Sequence, residues 1–285
     1  MNNVYAKILS LPSLRTTIDA HQLMADKALG QNFLLDQNIT DKIIRTSLAA
    51  QQLANFNEAD IYEIGPGPGG LTRAILKALP ATLTVIEMDN RCINIMEELK
   101  DKTGNIMQIV NDDALKYNIS VNKNKATHII SNLPYNISVP LLIKWLYQIS
   151  DFKSLTLMFQ KEVADRIMAS THNKNYGRIS ILAQLQCKIT KLMDLSPECF
   201  VPAPKIWSSV LLFQPQNNPL SEEQIKKIEK ISAQAFSARR KMIRQSLKSF
   251  SNLSDVCEKL QIPQTSRPEE LTPQQFLSLA ENLII

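Results

Sequence analysis

Short apolar runs, separated by polar or helical stretches, organise most of this chain. Residues 59–64 alternate and then turn apolar, 82–87 place Leu83, Val85 and Ile86 among threonines, 105–110 carry Ile106, Ile109 and Val110, and 126–131 carry Ile129 and Ile130. Runs of about four to eight residues rich in β-branched side chains predict strands, and their nearly continuous apolar character predicts burial on both faces, as in a parallel sheet. Residues 71–79 instead carry Leu71, Ala74, Ile75 and Ala78 at helical spacing. This alternation predicts an α/β fold whose ligand lies at the carboxyl ends of the strands. A fifth run, 208–213, is placed to close the sheet, and residues 214–219, with Pro215 and Pro219, read as a polar linker. Beyond the linker the pattern is helical. Ile225, Ile228, Ile231 and Ala235 share one face, and a second helix over 238–248 would set Arg240, Arg244 and Lys248 opposite Ile243, Leu247 and Phe250.

The residues just after each strand carry the chemistry. The first run leads into Gly65, Gly67, Gly69 and Gly70, interrupted by Pro66 and Pro68. Glycines there let backbone approach a ligand closely. The two prolines remove amide donors where a pyrophosphate would need them, which disfavours a dinucleotide and a nicotinamide oxidoreductase and favours a cofactor without phosphate. The second run ends on Glu87, about 20 residues beyond the glycines, where a ribose-binding carboxylate is expected. The third leads into Asn111, Asp112 and Asp113, and a carboxylate there is placed to accept from an adenine amino group. Asp113 is the candidate, while Asp112 reads as a cap or a solvated loop residue. Glu63, one residue before the strand ends, is placed to orient the glycine loop or to reach the cofactor's amino group through water.

The fourth run leads into Asn132-Leu133-Pro134-Tyr135. The exocyclic amine of adenine is a poor nucleophile because its lone pair is conjugated into the ring. Two hydrogen-bond acceptors aimed at it localise that pair, and an Asn side-chain carbonyl with a backbone carbonyl at Pro134 supplies both. Tyr135 would stack on the base. The tetrapeptide therefore resembles the active-site loop of an adenine-N6 methyltransferase.

Composition narrows the picture further. The chain has 285 residues, 44 % hydrophobic and 21 % charged, with a net charge of +5. Its pI near 8.9 is compatible with an anionic partner. Cys92, Cys187, Cys199 and Cys257 show no C-x-x-C spacing, and His21, His128 and His172 are scattered, so neither a disulfide framework nor a metal site is expected. No apolar stretch approaches the roughly 20 residues that span a bilayer, and the first residues lack the order of a secretory signal. A cytoplasmic location, with no membrane association, is expected.

Taken together, the motifs resemble the ribosomal RNA adenine dimethyltransferases, the bacterial KsgA (RsmA) family. Gly30 to Asp36, Glu63 to Gly67, Val85 to Asp89, Asp113-Ala114 and Asn132 to Ser138 occur in that family's order. So do the stretches around Lys161, Tyr176, Phe200 to Lys205, Phe236 to Lys241 and Arg267 to Leu271. The resemblance covers roughly residues 27 to 280. Gly69 and Gly70 depart from the bulkier residues many relatives carry there. The resemblance implies a Rossmann-like class I S-adenosylmethionine-dependent methyltransferase domain over 27–214, preceded by an N-terminal extension over 1–26. A small all-α rRNA-binding domain over 215–285 completes the chain. It implies S-adenosyl-L-methionine contacts at Asn32, Leu34, Gly65, Glu87, Asp113 and Asn132, and catalytic roles for Asn132, Pro134, Tyr135 and Phe200, the last stacking on or near the other face of the base. It implies dimethylation of N6 of two adjacent adenosines in the 3′-terminal hairpin of small-subunit (16S) rRNA, by a monomer that acts within the small ribosomal subunit during its biogenesis. Arg267 to Leu271 resembles this family better than the resistance-type methyltransferases of large-subunit rRNA. DNA adenine methyltransferases usually carry Asp where this chain has Asn132.

Overall fold

The computed structural model describes residues 3–26 and 29–284. The expected boundary between residues 26 and 27 falls at Lys27 and Ala28, which lie outside the described residues. Among the described residues seven strands form one sheet: β1 (Ala59–Ile64), β2 (Thr82–Glu87), β3 (Met107–Asn111), β4 (Ala126–Ser131), β5 (Ser154–Gln160), β6 (Cys187–Leu195) and β7 (Ser208–Pro215), in the order β3-β2-β1-β4-β5-β7-β6. β1 to β5 run parallel, and β7 lies antiparallel to β5. Parallel register brings Ile64 level with Ile86 and Glu87 level with Asn111, so the loops after these strands emerge at one edge.

The central strands are buried as their apolar runs predict. Ile61, Leu83, Val85 and Ile129 are all 0 % exposed. Helices Gln37–Ala50, Gly70–Lys77 and Asn90–Thr103 pack with these strands into one core with Ile43, Ile75 and Met96. Two of them begin on short acids: Asp36 accepts the N–H of Asn38, and Asp89 that of Arg91, satisfying amides that have no partner inside a helix. β7 does not close the sheet but lies between β5 and β6.

The chain divides into two compact units, one of Met1–Lys144, Ser150–Lys161 and Thr190–Gln214, the other of Trp145–Ile149, Glu162–Ile189 and Pro215–Ile285. Three segments depart from the linear division that the sequence predicts, one of them the short stretch Trp145–Ile149, which belongs to the second unit. The extension contributes helices Asn3–Leu9 and Leu14–Ala20 to the first unit, where Ile8, Leu14 and Leu23 are buried. Arg73, on the helix after the glycines, holds this segment by donating to the Pro12 carbonyl at 2.6 Å and the Thr17 hydroxyl at 3.2 Å. Residues 162–189, expected in the α/β domain, belong to the second unit. Tyr176, Ile181 and Leu185 share its core with Ile228, Phe276 and Leu279, and the buried Tyr176 hydroxyl donates to the Leu271 carbonyl at 2.9 Å.

The continuous helix expected over 238–248 is also interrupted. Helix Glu222–Ser237 buries Ile225, Ile228, Ile231 and Ala235 as predicted, but only the four residues Ile243–Ser246 are helical in the segment after it. The amides of Ile243 and Arg244 donate instead to the carbonyls of Ser266 and Gln264, at 2.8 and 3.2 Å. Tertiary backbone pairing thus overrides a segment rich in good helix formers, since propensity is a weak determinant beside tertiary context. The separation of faces survives the break. Ile243, Leu247 and Phe250 are buried, while Arg240, Arg244 and Lys248 are exposed.

Candidate active site

A cavity of about 290 Å³ opens where β1 to β4 end. Its walls come from the segment 29–34 and from the four strand ends: the glycine loop, residues 86–88, 112–115 and 132–137. The glycines are required by close approach. Gly65 and Gly67 have φ of 65° and 55°, and a Cβ on Gly67 would lie 3.0 Å from the Phe33 ring. On Gly70 it would be built onto the Leu34 carbonyl oxygen. That contact leaves no room for a side chain at this position of the chain.

Asn132 comes directly after the buried end of β4, where the Ser131 hydroxyl donates to the Ile64 carbonyl at 2.6 Å and ties two strand ends together. The Asn132 amide donates through Nδ2 to the Asn32 carbonyl at 3.1 Å. A carbonyl only accepts, so this contact orients the amide and leaves Oδ1 as an acceptor for a ligand. The Pro134 carbonyl accepts the Ile137 N–H at 3.1 Å, just before helix Ser138–Leu146, and keeps one lone pair. Tyr135 shares a hydrogen bond of 2.7 Å with the Ser208 hydroxyl. Burial raises its phenol above the usual value.

The acids differ sharply in environment. Glu63 is 1 % exposed, its Oε2 has no hydrogen-bond partner, and burial pushes it up to about 8 against the pull of the Thr72 hydroxyl. Glu87 is raised by burial as well, but its Oε1 accepts the N–H groups of Met88 at 2.8 Å and Asp89 at 2.9 Å, which fix the carboxylate. Asp113 accepts the N–H of Leu115 at 2.9 Å, and Asp112 caps the N–H of Asp113 at 2.7 Å. Among the described residues no cluster of three or more His, Cys, Asp or Glu side chains could hold a metal ion.

A family model for ribosomal RNA adenine dimethylases matches residues 23–284. The chain belongs to that family. It is 42 % identical over 279 residues to a ribosomal RNA small subunit methyltransferase A from Bartonella bacilliformis, covering 95 % of this chain and 97 % of the relative. Among solved structures, a dimethyladenosine transferase from Plasmodium falciparum superposes with a TM-score of 0.73 at 26 % identity, covering 86 % of this chain and 94 % of that one. A 23S rRNA methyltransferase, ErmE, gives a TM-score of 0.64 at 20 % identity, covering 88 % and 99 %, and shares the fold. The α/β unit is therefore a class I S-adenosylmethionine-dependent methyltransferase fold.

Within this adenine dimethylase, Asn32, Leu34, Gly65, Glu87, Asp113, Asn132, Pro134 and Tyr135 all line one cavity. Phe200 does not. Its side chain is 2 % exposed, packs into the core of the α/β unit, and sits in a two-residue strand opposite Leu34. The expected stacking role is corrected on that ground, since a ring enclosed by core side chains presents no face to a base. Two positioning residues escaped the sequence reading. Gln31 accepts the Asp26 N–H at 2.8 Å and donates to Asp89 at 2.9 Å, beside an Arg91 that holds Asp89 down to about 2. Lys144 donates to the carbonyls of Leu115 at 2.9 Å and Tyr117 at 2.6 Å, pinning the loop that carries Asp113. The signal for Gln31 lay inside the Gly30 to Asp36 motif, whereas nothing in the sequence pointed to Lys144.

Proposed function

We propose that this chain binds S-adenosyl-L-methionine and dimethylates N6 of two adjacent adenosines in the 3′-terminal hairpin of small-subunit rRNA, as a cytoplasmic monomer acting during subunit assembly. The observation that carries this reading is the Asn132 amide, whose Nδ2 is engaged by the Asn32 carbonyl so that Oδ1 is left as an acceptor in the cavity. The residues fit the cofactor. An orphaned, buried Glu63 oxygen and a cradle in which a Cβ on Gly67 would crowd Phe33 belong to a site built for a ligand that comes close to backbone.

When bound, S-adenosylmethionine supplies a methyl group already activated by its positive sulfur. Glu87 would accept the ribose hydroxyls and Asp113 the adenine amino group, with Asn32, Leu34 and Gly65 as walls. Glu63 is mostly neutral at pH 7 on its own, and an ammonium brought against it favours the carboxylate. On the substrate side, Asn132 Oδ1 and the Pro134 carbonyl would accept from the target amine and localise its lone pair, while Tyr135 stacks on the base. Placement supplies most of the acceleration. The raised phenol of Tyr135 stays protonated at neutral pH, so it is no general base, and the amine's proton is acidic enough once methylated to leave to water. In the helical unit, exposed Arg240, Arg244 and Lys248 supply phosphate contacts that position RNA without reading its sequence.

The test is transfer of labelled methyl to small and large ribosomal subunits that lack the modification. Label on small subunits is the expected result, and label confined to large subunits would replace this reading with the resistance-type activity. Tight binding to small subunits without transfer would make the chain an assembly factor.

A further inference from the structure

The burial of Phe200 leaves its loop without the aromatic face the sequence promised, yet the same loop carries another. Trp207 is 50 % exposed, whereas the other tryptophan, Trp145, is 2 % exposed. Among the described residues Trp207 is the one large aromatic on the exposed surface, and Val201 and Ile206 of the same segment are 48 % and 37 % exposed. An indole left in water calls for a partner with a flat apolar face.

The backbone of Trp207 is held in place. Its carbonyl accepts the Lys161 N–H at 2.8 Å, and the next residue, Ser208, is buried with its hydroxyl on Tyr135 at 2.7 Å. Pro202 and Pro204 restrict the approach. Lys205, the single charged residue of the segment 200–207, is exposed and has no ion-pair partner among the described residues. A rigid exposed aromatic beside a free cation is the pairing that binds unpaired nucleotides, the ring taking the base and the ammonium the phosphate.

We propose that Trp207 is a stacking platform for an unpaired nucleotide next to the target adenosine, with Lys205 on its phosphate. This assignment rests on the proposed function, because Trp207 is one residue from the group that holds Tyr135. Loss of the ring there should cost affinity for RNA and nothing in affinity for the cofactor.

The two tryptophans make a direct test possible. In wild type and in Trp145→Phe, a single-stranded oligoribonucleotide bearing two adjacent adenosines is expected to quench tryptophan emission, because only Trp207 is accessible. Trp207→Ala is expected to lower kcat/KM on unmodified small subunits about ten-fold or more, chiefly through KM, with Trp207→Phe recovering most of the loss and cofactor affinity unchanged. Absence of quenching with an active wild type, or turnover by Trp207→Ala within about two-fold of wild type, overturns the assignment alone. Quenching with a wild type that methylates no small subunits supports RNA stacking at Trp207 and sinks the proposed function instead.

Discussion

The strand-end cavity and the basic face of the helical unit are built in different physical ways. In the cavity the working groups are short and fixed: carbonyls of Asn32 and Pro134, an amide oriented by a single hydrogen bond, and glycines at contact distance from neighbours. On the helical unit they are long exposed side chains, Arg240, Arg244 and Lys248, over a buried apolar floor. A fixed site fails when one atom is moved, whereas a set of flexible cations loses affinity by increments. Single substitutions in each region separate the two cases.

Asn132→Ala should have the largest effect, lowering methyl transfer by about 1000-fold, comparable to deleting a key transition-state hydrogen bond. Calorimetry should find cofactor affinity changed only a few-fold, since Glu87, Asp113 and the glycine loop remain. Next comes Glu63. The folded chain keeps a proton up to about pH 8 that an unfolded chain, with an ordinary value of 4.5, has already released. Stability without cofactor should therefore fall as pH rises from 4.5 to 8 and level off above, by on the order of 5 kcal/mol. Glu63→Gln should flatten that slope in denaturant titrations, and an unchanged slope would show that Glu63 titrates normally.

Smaller effects separate the two regions by glycine. Gly70→Ala places a Cβ on the Leu34 carbonyl and should cost about 1 to 3 kcal/mol in unfolding free energy. Gly177→Ala, in the helical unit, meets nothing within 4 Å and should stay within about 0.5 kcal/mol of wild type. Charge reversal at Arg240 and Arg244 should weaken rRNA binding roughly ten-fold and flatten its salt dependence by about one unit of slope per lost phosphate contact. Cofactor affinity should not move, and equal loss of both would point to a folding defect.

Much of this was legible in the sequence, for physical reasons that differ by element. Runs 59–64, 82–87 and 126–131 became strands with those bounds because buried parallel strands need continuous apolar stretches. β6 went unread because it lies at the sheet edge, where the seven positions from Lys188 to Asp194 are not buried and no periodicity is enforced. The four strand-end loops were recognisable because each carries a distinctive residue at or near a strand end. Phe200 was misjudged because an aromatic with prolines close behind it reads alike whether it points inward or outward. Gln31 and Lys144 act on partners 58 and 27 residues away, a distance that no local pattern encodes.

The most direct test of the central claim is nucleoside analysis of the 3′-terminal hairpin of small-subunit rRNA after incubation of unmodified subunits with this protein and S-adenosylmethionine. N6,N6-dimethyladenosine at two adjacent positions is the expected result. Methylation of a base other than adenine, or of adenosines elsewhere in the rRNA with the hairpin untouched, would contradict it.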